Sequence, residues 1–436
     1  MDFYDLAIIG AGWAGFNAAL KAAQLGLKVA LIEKDKLGGT CLNRGCIPTK
    51  ALIQSAKIYS LAKKSSKFGI QVDSPKINFV EMQARKEQIV GQLYNGMQFL
   101  LKNKNITFLS VEAKIISQEE LSVGSERIKA KNILIATGSK PAELPNLKFD
   151  AKKIISSDEI LNLKEIPKSL LIIGGGVIGC EFASLFSTLG TAVTIVELMP
   201  GLLPAEDKEI AKKLETIFKK KSIKVNTNTD AKTINLADYE LTLLSIGRKP
   251  VIDNPVGIGI KFEKNKIMVD DYLRTNIPNI FAAGDCVASI MLAHYASYQG
   301  ELVAQNLANP NQMKKVDNAA IPNCIFTDPE VSSVGLSEEK ARESGAEIKI
   351  NKFDFQASGM ARILDESEGF VKIISDKKTD IVLGASIIGP KATELIGILT
   401  LAIKSRLKIS QIKETVFAHP TLSESITETL KTNHAV

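Results

Sequence analysis

Residues 5–15 read Asp-Leu-Ala-Ile-Ile-Gly-Ala-Gly-Trp-Ala-Gly, and their reading decides the fold. The first five form a short apolar run of the kind that a buried parallel strand needs. Gly10, Gly12 and Gly15 follow at the spacing G-x-G-x-x-G, and an alanine-rich helix continues to about Leu25. The first glycine makes a tight turn, the second lets backbone approach a pyrophosphate, and the third lets helix pack on strand. The helix N-terminus then faces the phosphates. A second strand, Lys28–Ile32, ends at Glu33, where a carboxylate can accept hydrogen bonds from a ribose diol.

The device returns later in the chain. Leu170–Ile173 runs into Gly174, Gly176 and Gly179, a helix reaches about Leu189, and a strand, Ala192–Val196, ends at Glu197. The acid follows the first glycine by 23 positions in both copies, 10 to 33 and 174 to 197. A lone G-x-G-x-x-G is weak evidence, but two complete copies, each in strand–turn–helix context, are strong. The predicted fold class is α/β, with two Rossmann-like dinucleotide-binding domains. Two such domains imply one bound flavin dinucleotide and one exchangeable nicotinamide. A strand Lys131–Ala136 ends in Thr137-Gly138 as an exit from the first domain, and Leu241–Ile246 ends in Gly247-Arg248-Lys249-Pro250. Asn279–Ala283 leads into Gly284-Asp285, where a carboxylate at a strand end could bind a hydroxyl. From about Ala319 onward, strands (Gly369–Ile374, Ile381–Ile388) mix with a helix (Ala392–Ser405) and no fingerprint recurs. This segment reads as an α+β interface domain. The expected domains are 1–145 with 266–317, then 146–265, then 318–436.

At 436 residues the chain is long enough for about three domains, each with its own core. Net charge is +7, but 55 basic and 48 acidic residues are interspersed. The short lysine clusters at 63–64, 219–221 and 377–378 read as solvated faces, because a nucleic-acid surface needs a concentrated stripe with aromatic partners. No apolar run is long enough to span a membrane, and a strand begins too near Met1 to leave room for a signal peptide. The expectation is a cytoplasmic protein without nucleic-acid or membrane partners, and no metal site is expected.

Between the two fingerprints, residues 38–50 read Gly-Gly-Thr-Cys-Leu-Asn-Arg-Gly-Cys-Ile-Pro-Thr-Lys. Cys41 and Cys46 are close enough in sequence for disulfide geometry. A cysteine pair beside a cofactor turn, in a chain without a secretory signal, reads as a redox couple and not as a staple. Cys180, Cys286 and Cys324 have no near partner and read as reduced structural thiols. Thiol–disulfide exchange also needs a proton acceptor. The chain has three histidines, and His419 lies in His-Pro-Thr-Leu-Ser-Glu, where Glu424 can hold one ring nitrogen and leave the other a better base. His294 and His434 lack such a partner nearby and read as structural.

Taken in order, these motifs resemble the pyridine nucleotide–disulfide oxidoreductases, and most closely the members that oxidise dihydrolipoamide. The elements are the first fingerprint, GGTCLNRGCIPTK, ATG, the second fingerprint, IGRKP, AAGDC with MLAH, TDPEVSSVGLSE and HPTLSE. The resemblance covers nearly the whole length. It implies FAD held by Gly10, Gly12, Gly15 and Glu33, with Ala113, Gly138, Asp285 and Ala293 at further cofactor contacts. Lys50, paired with Glu181, would sit near the flavin ring. Gly174, Gly176, Gly179, Glu197 and Gly247 would form the NAD site. Cys46 would be the thiolate against the flavin and Cys41 the outer, exchanging thiol. His419, held by Glu424, would act on the cysteines of the other subunit of a homodimer. The implied reaction is NAD-dependent oxidation of protein-bound dihydrolipoamide, on the lipoyl domains of 2-oxo acid dehydrogenase or glycine-cleavage complexes.

Two departures from the family pattern stand out. Trp13 is bulky for its place in the first fingerprint and is expected to point away from the pyrophosphate. The segment 226–240 is shorter than the usual crossover, so the meander there is expected to shrink to a tight connection. Alternative readings are an NAD(P)H-dependent reductase of another disulfide, such as glutathione disulfide, or a redox sensor whose catalysis has lapsed. A mercuric reductase would need a further cysteine pair near the C-terminus, and the last cysteine is Cys324.

Overall fold

The computed structural model describes residues 2–252, 258–287 and 290–431; His434 lies outside them. The first unit opens with β1 (Phe3–Ile9), α1 (Trp13–Gln24), β2 (Val29–Ile32), α2 (Gly39–Arg44), α3 (Cys46–Lys63) and α4 (Phe79–Leu100). It continues with β3 (Ile106–Leu109), β4 (Ala113–Ile115), β5 (Glu120–Val123) and β6 (Glu126–Ile135). These strands form a sheet in the order β3-β2-β1-β6-β5-β4. Strands β3, β2, β1 and β6 run parallel, whereas β4 and β5 return antiparallel. Both faces of β2 and of β1 from Leu6 onward are covered, which explains the unbroken apolar sequence there. The strand expected at Lys131–Ala136 starts five residues earlier, at Glu126. Its first half alternates exposed and buried positions beside β5, so only its second half carries the continuous apolar signal.

An antiparallel ribbon of β7 (Ser139–Pro141) and, later, Arg248–Pro250 marks where the chain leaves for the second unit and returns. In between, β8 (Ile154–Ile155), β9 (Ser169–Ile173), α5 (Val177–Thr188), β10 (Ala192–Val196), α6 (Lys208–Lys220), β11 (Lys224–Asn226) and β12 (Leu241–Leu244) build a parallel sheet. Its order is β11-β10-β9-β12-β8. The shortened connection after β11 consists of two single turns, Ala231–Thr233 and Leu236–Asp238, before β12. The return arm of the ribbon is β13 (Arg248–Pro250), and β14 (Phe262–Glu263) and β15 (Lys266–Ile267) form a small hairpin. Strand β16 (Ile280–Ala282) then joins the first sheet beside the end of β6, and α7 (Ala293–Ala308) packs on α1.

The third unit is an antiparallel sheet of β17 (Asn323–Ile325), β18 (Glu330–Gly335), β19 (Ile348–Asp354), β20 (Phe370–Asp376) and β21 (Val382–Gly389). Its order is β17-β18-β21-β20-β19. It is flanked by α8 (Glu338–Glu343), α9 (Gly359–Ile363), α10 (Ala392–Lys404), α11 (Ile409–Glu414) and α12 (Glu424–Lys431). A buried ion cluster joins it to the second unit. Lys372 on β20, 2% exposed, meets Asp207 at 2.9 Å, Glu338 at 2.7 Å and Glu209 at 3.4 Å. Asp207 also caps α6, accepting the Glu209 backbone N–H at 3.0 Å. Among the described residues, no helix is long and apolar enough to cross a membrane.

Candidate functional site

The two fingerprints fold alike. Ile9 stands opposite both Ile32 and Ile135, and Ile173 stands opposite both Val196 and Leu244, so each glycine turn sits where parallel strands end together. A side chain on Gly15 would lie 1.9 Å from the Gly10 carbonyl oxygen, and one on Gly179 would lie 2.0 Å from that of Gly174. Neither site admits even a methyl group, which is why glycine closes each fingerprint.

Gly12 and Gly176 begin α1 and α5 without a side-chain cap, and neither helix has an acidic residue in its first turn. Their orphan backbone N–H groups and the positive end of each helix suit a pyrophosphate. Glu33 Oε2 accepts the Ala11 N–H at 2.7 Å, and Glu197 Oε2 accepts the Gly175 N–H at 2.6 Å. Their other oxygens accept from Asp35 at 2.9 Å and from Met199 at 2.7 Å. Each carboxylate is therefore fixed beside its turn, with lone pairs left for ribose hydroxyls. The residues present fit two dinucleotides.

The cysteine segment lies directly on the first turn. A side chain on Gly39 would approach the Gly12 Cα at 2.8 Å, so α2 rests on the start of α1. Cys41 sits in α2, and Cys46 is the first residue of α3 behind Gly45. Both are free thiols in this structure, and each shifts the other's hold on its proton, as adjacent sulfurs do. Cys46 is drawn down to about 7, chiefly by the hydrogen bond from Cys41 and, against its burial, by the positive charge of Lys50. The uncapped N-terminus of α3 favours the same thiolate. Cys41 is pushed the other way, first by its bond to Cys46 and then by burial. In the reduced protein, alkylation of Cys46 is expected to rise through a midpoint near pH 7, since the thiolate forms above its pKa. A midpoint near the ordinary thiol value would refute this assignment.

Lys50 Nζ lies 2.8 Å from both carboxylate oxygens of Glu181 on α5 and stacks 4.7 Å from the Phe326 ring centroid. Glu181 Oε1 also accepts the Phe326 N–H at 2.9 Å. One carboxylate thus ties together α3, α5 and the segment after β17.

Sequence reading left Arg248 as part of a strand-end motif. In the structure its guanidinium donates to Ser139 Oγ at 2.8 Å, the Ser139 carbonyl at 2.8 Å and Thr40 Oγ1 at 3.3 Å, next to Cys41. Ser139 in turn donates to Asp285 at 2.5 Å. The only signal in sequence was a cation directly after Gly247. Gly138 and Gly247 have positive φ at the two ends of the ribbon, and Ala293 is the first residue of α7. Ala113 is buried in β4 within the core, so its backbone is the part suited to meet a ligand.

His419 Nδ1 is 2.8 Å from Glu424 Oε1, and Glu424 Oε2 accepts the Thr421 N–H at 2.8 Å. That backbone bond, and then His419, hold the Glu424 carboxyl below the usual range. The His419 side chain is 82% exposed, and among the described residues no hydrogen bond links it to either cysteine of its own chain. His294 bonds the Pro322 carbonyl at 2.8 Å, which agrees with a structural role.

Residues 4–300 match the family described as pyridine nucleotide-disulphide oxidoreductase, and residues 321–430 match its dimerisation domain. The dihydrolipoyl dehydrogenase of Chlamydia pneumoniae is 42% identical over 99% of this chain and 97% of its own. That of Bacillus subtilis strain 168 is 40% identical over 98% and 97%. Among solved structures, the HOCl-induced flavoprotein disulfide reductase RclA from Escherichia coli superposes with a TM-score of 0.88 at 30% identity, covering 98% of this chain and 99% of the other.

Proposed function

The chain belongs to the pyridine nucleotide-disulphide oxidoreductase family, and we propose that it oxidises protein-bound dihydrolipoamide to lipoamide with NAD. As a family member it is an enzyme that uses FAD and NAD, and it carries a dimerisation domain. The observation that carries the reading is the adjacent Cys41–Cys46 pair resting on the uncapped dinucleotide turn.

The residues divide the work as follows. Gly10, Gly12, Gly15 and Glu33 hold FAD, with backbone at Ala113, Gly138 and Ala293 and the Asp285 carboxylate as further contacts. Gly174, Gly176, Gly179, Glu197 and Gly247 hold NAD. Lys50, fixed by Glu181, places a positive charge beside Cys46. FAD supplies two-electron acceptance from the dithiol and hydride delivery to NAD.

With the pair oxidised, His419 of a second copy takes the proton of one substrate thiol. The resulting sulfur attacks Cys41 Sγ, the Cys41–Cys46 bond breaks, and Cys46 leaves as a thiolate. The α3 N-terminus and Lys50 stabilise that charge. The second substrate sulfur then attacks the first, the lipoyl disulfide closes, and Cys41 leaves and takes up a proton. Two electrons have passed from substrate to the pair.

Glu197 sets the nucleotide preference. Its carboxylate is buried at 8% exposure, and residues 198–204 carry no cation to meet a 2′-phosphate. A like charge there should cost several kcal/mol, about a thousandfold in kcat/KM. Glu197→Gln keeps an acceptor oxygen and should narrow the gap. Turnover of dihydrolipoamide with NAD or NADP, and of glutathione disulfide with NADH or NADPH, tests both claims. Equal use of NADP, or preference for glutathione disulfide, would favour the glutathione-reductase reading.

A further inference from the structure

Trp13 is the chain's single tryptophan. It is the first residue of α1, directly after Gly12. The contact of Gly39 against the Gly12 Cα brings the first turn of α2 alongside it, and Cys41 stands two residues beyond Gly39. The indole Nε1–H is buried, and no protein acceptor closes a hydrogen bond of normal geometry to it. A buried donor left unpaired is costly, so such a group calls for an explanation.

We propose that Trp13 is a positioning residue for Cys41, its indole N–H directed at the Cys41 sulfur to stabilise that sulfur when it carries negative charge. The neutral thiol is only a weak acceptor. A thiolate is a strong one, because hydrogen bonds to charged groups are shorter and stronger. The surroundings already show the direction of the effect. The Cys46 hydrogen bond and burial raise Cys41's hold on its proton, while the indole N–H and the charge of Lys50 oppose them.

The inference rests on the proposed exchange role of Cys41. Its use comes in the second exchange step, when Cys41 departs as the lipoyl disulfide closes. There the indole N–H lowers the charge cost on the leaving sulfur. It also explains how a bulky residue is accommodated inside a dinucleotide fingerprint: the ring turns toward the cysteine segment.

The test reads the sulfur directly and needs no turnover. In a Cys46→Ser background, alkylation of Cys41 by iodoacetamide is followed against pH by mass spectrometry of the Cys41 peptide. Adding Trp13→Phe keeps an aromatic ring and removes the N–H. The midpoint should move up by roughly half to one pH unit. A second measurement keeps the native tryptophan, in case Trp13→Phe fails to fold. In Cys46→Ser, the intrinsic fluorescence of Trp13 should titrate with the Cys41 alkylation midpoint, and this transition should vanish in Cys41→Ser/Cys46→Ser. Unchanged midpoints, or fluorescence blind to Cys41, would overturn the proposal. FAD release by Trp13→Phe with an unmoved midpoint would also overturn it, by assigning the N–H to the cofactor. Because both readouts are stoichiometric, failure of dihydrolipoamide as substrate would leave them intact and is separately visible in the turnover assay.

Discussion

Cys46→Ser is expected to lower dihydrolipoamide turnover by roughly 10⁴-fold or more, since the loss of a covalent nucleophile leaves only binding and electrostatics. Serine cannot form the disulfide that accepts the substrate's electrons. The same variant should lose the long-wavelength absorbance that reduction otherwise produces from a thiolate beside oxidised flavin. Substitutions of Cys41 separate the two sulfurs. Both should abolish turnover, but they should differ in what they do to Cys46. The first cause of the low Cys46 value is a hydrogen bond from the Cys41 side chain, with Lys50 assisting. Serine keeps a donor at that position, so Cys41→Ser should hold Cys46 as a stable thiolate at neutral pH. Alanine removes the donor, so the absorbance of Cys41→Ala should appear only at higher pH. Near-normal turnover in either serine variant, or identical titrations of Cys41→Ser and Cys41→Ala, would contradict the assignment.

The second large effect is at His419. A positioned acid–base contributes about 10²–10⁴-fold, so His419→Gln should lower kcat by that amount. FAD content should not change, because His419 and Glu424 sit on the third unit and bond to each other rather than to the fingerprint. Under the proposed mechanism this exposed base serves the cysteines of another copy. Mixing Cys41→Ser and His419→Gln subunits should therefore create hybrid dimers with one complete site. With free exchange and equal amounts, the mixture should recover roughly a quarter of native activity, as expected for random pairing in a two-fold dimer. No recovery, with subunit exchange shown, would count against action in trans.

Much of this fold and site is legible in the sequence. The glycine fingerprints and their acids are local: a turn, a helix start and a strand end, each fixed by residues a few positions apart. Their strands fell within a residue or two, because both faces are buried and the apolar run marks the ends. The strand expected to reach Ile246 stops at Leu244, because Ser245 already turns at the second fingerprint, its carbonyl pressed against Gly174. Pairings across the chain were less visible. Lys50 with Glu181 came from family resemblance, and nothing local in the sequence relates positions 131 residues apart. The role of Arg248 is not legible locally, because its partners, Thr40 and Ser139, come from elsewhere in the chain. The direction of the Trp13 ring depends on how α2 lands on α1, and the spacing of glycines in either segment does not reveal that.

The Lys372 cluster has a mechanical consequence. Its ammonium reaches Asp207 on the second unit and Glu338 on its own, with Lys372 and Asp207 drawn from water and Glu338 partly exposed. Stripping one partner from such a group leaves a buried charge uncompensated, at about 3–5 kcal/mol, whereas parting the units completely returns every charge to solvent. Small tilts of the second unit are therefore resisted more steeply than wide ones. The joint behaves as a detent rather than a spring. It holds one angle firmly through ordinary thermal jostling and, once overcome, offers no restoring pull.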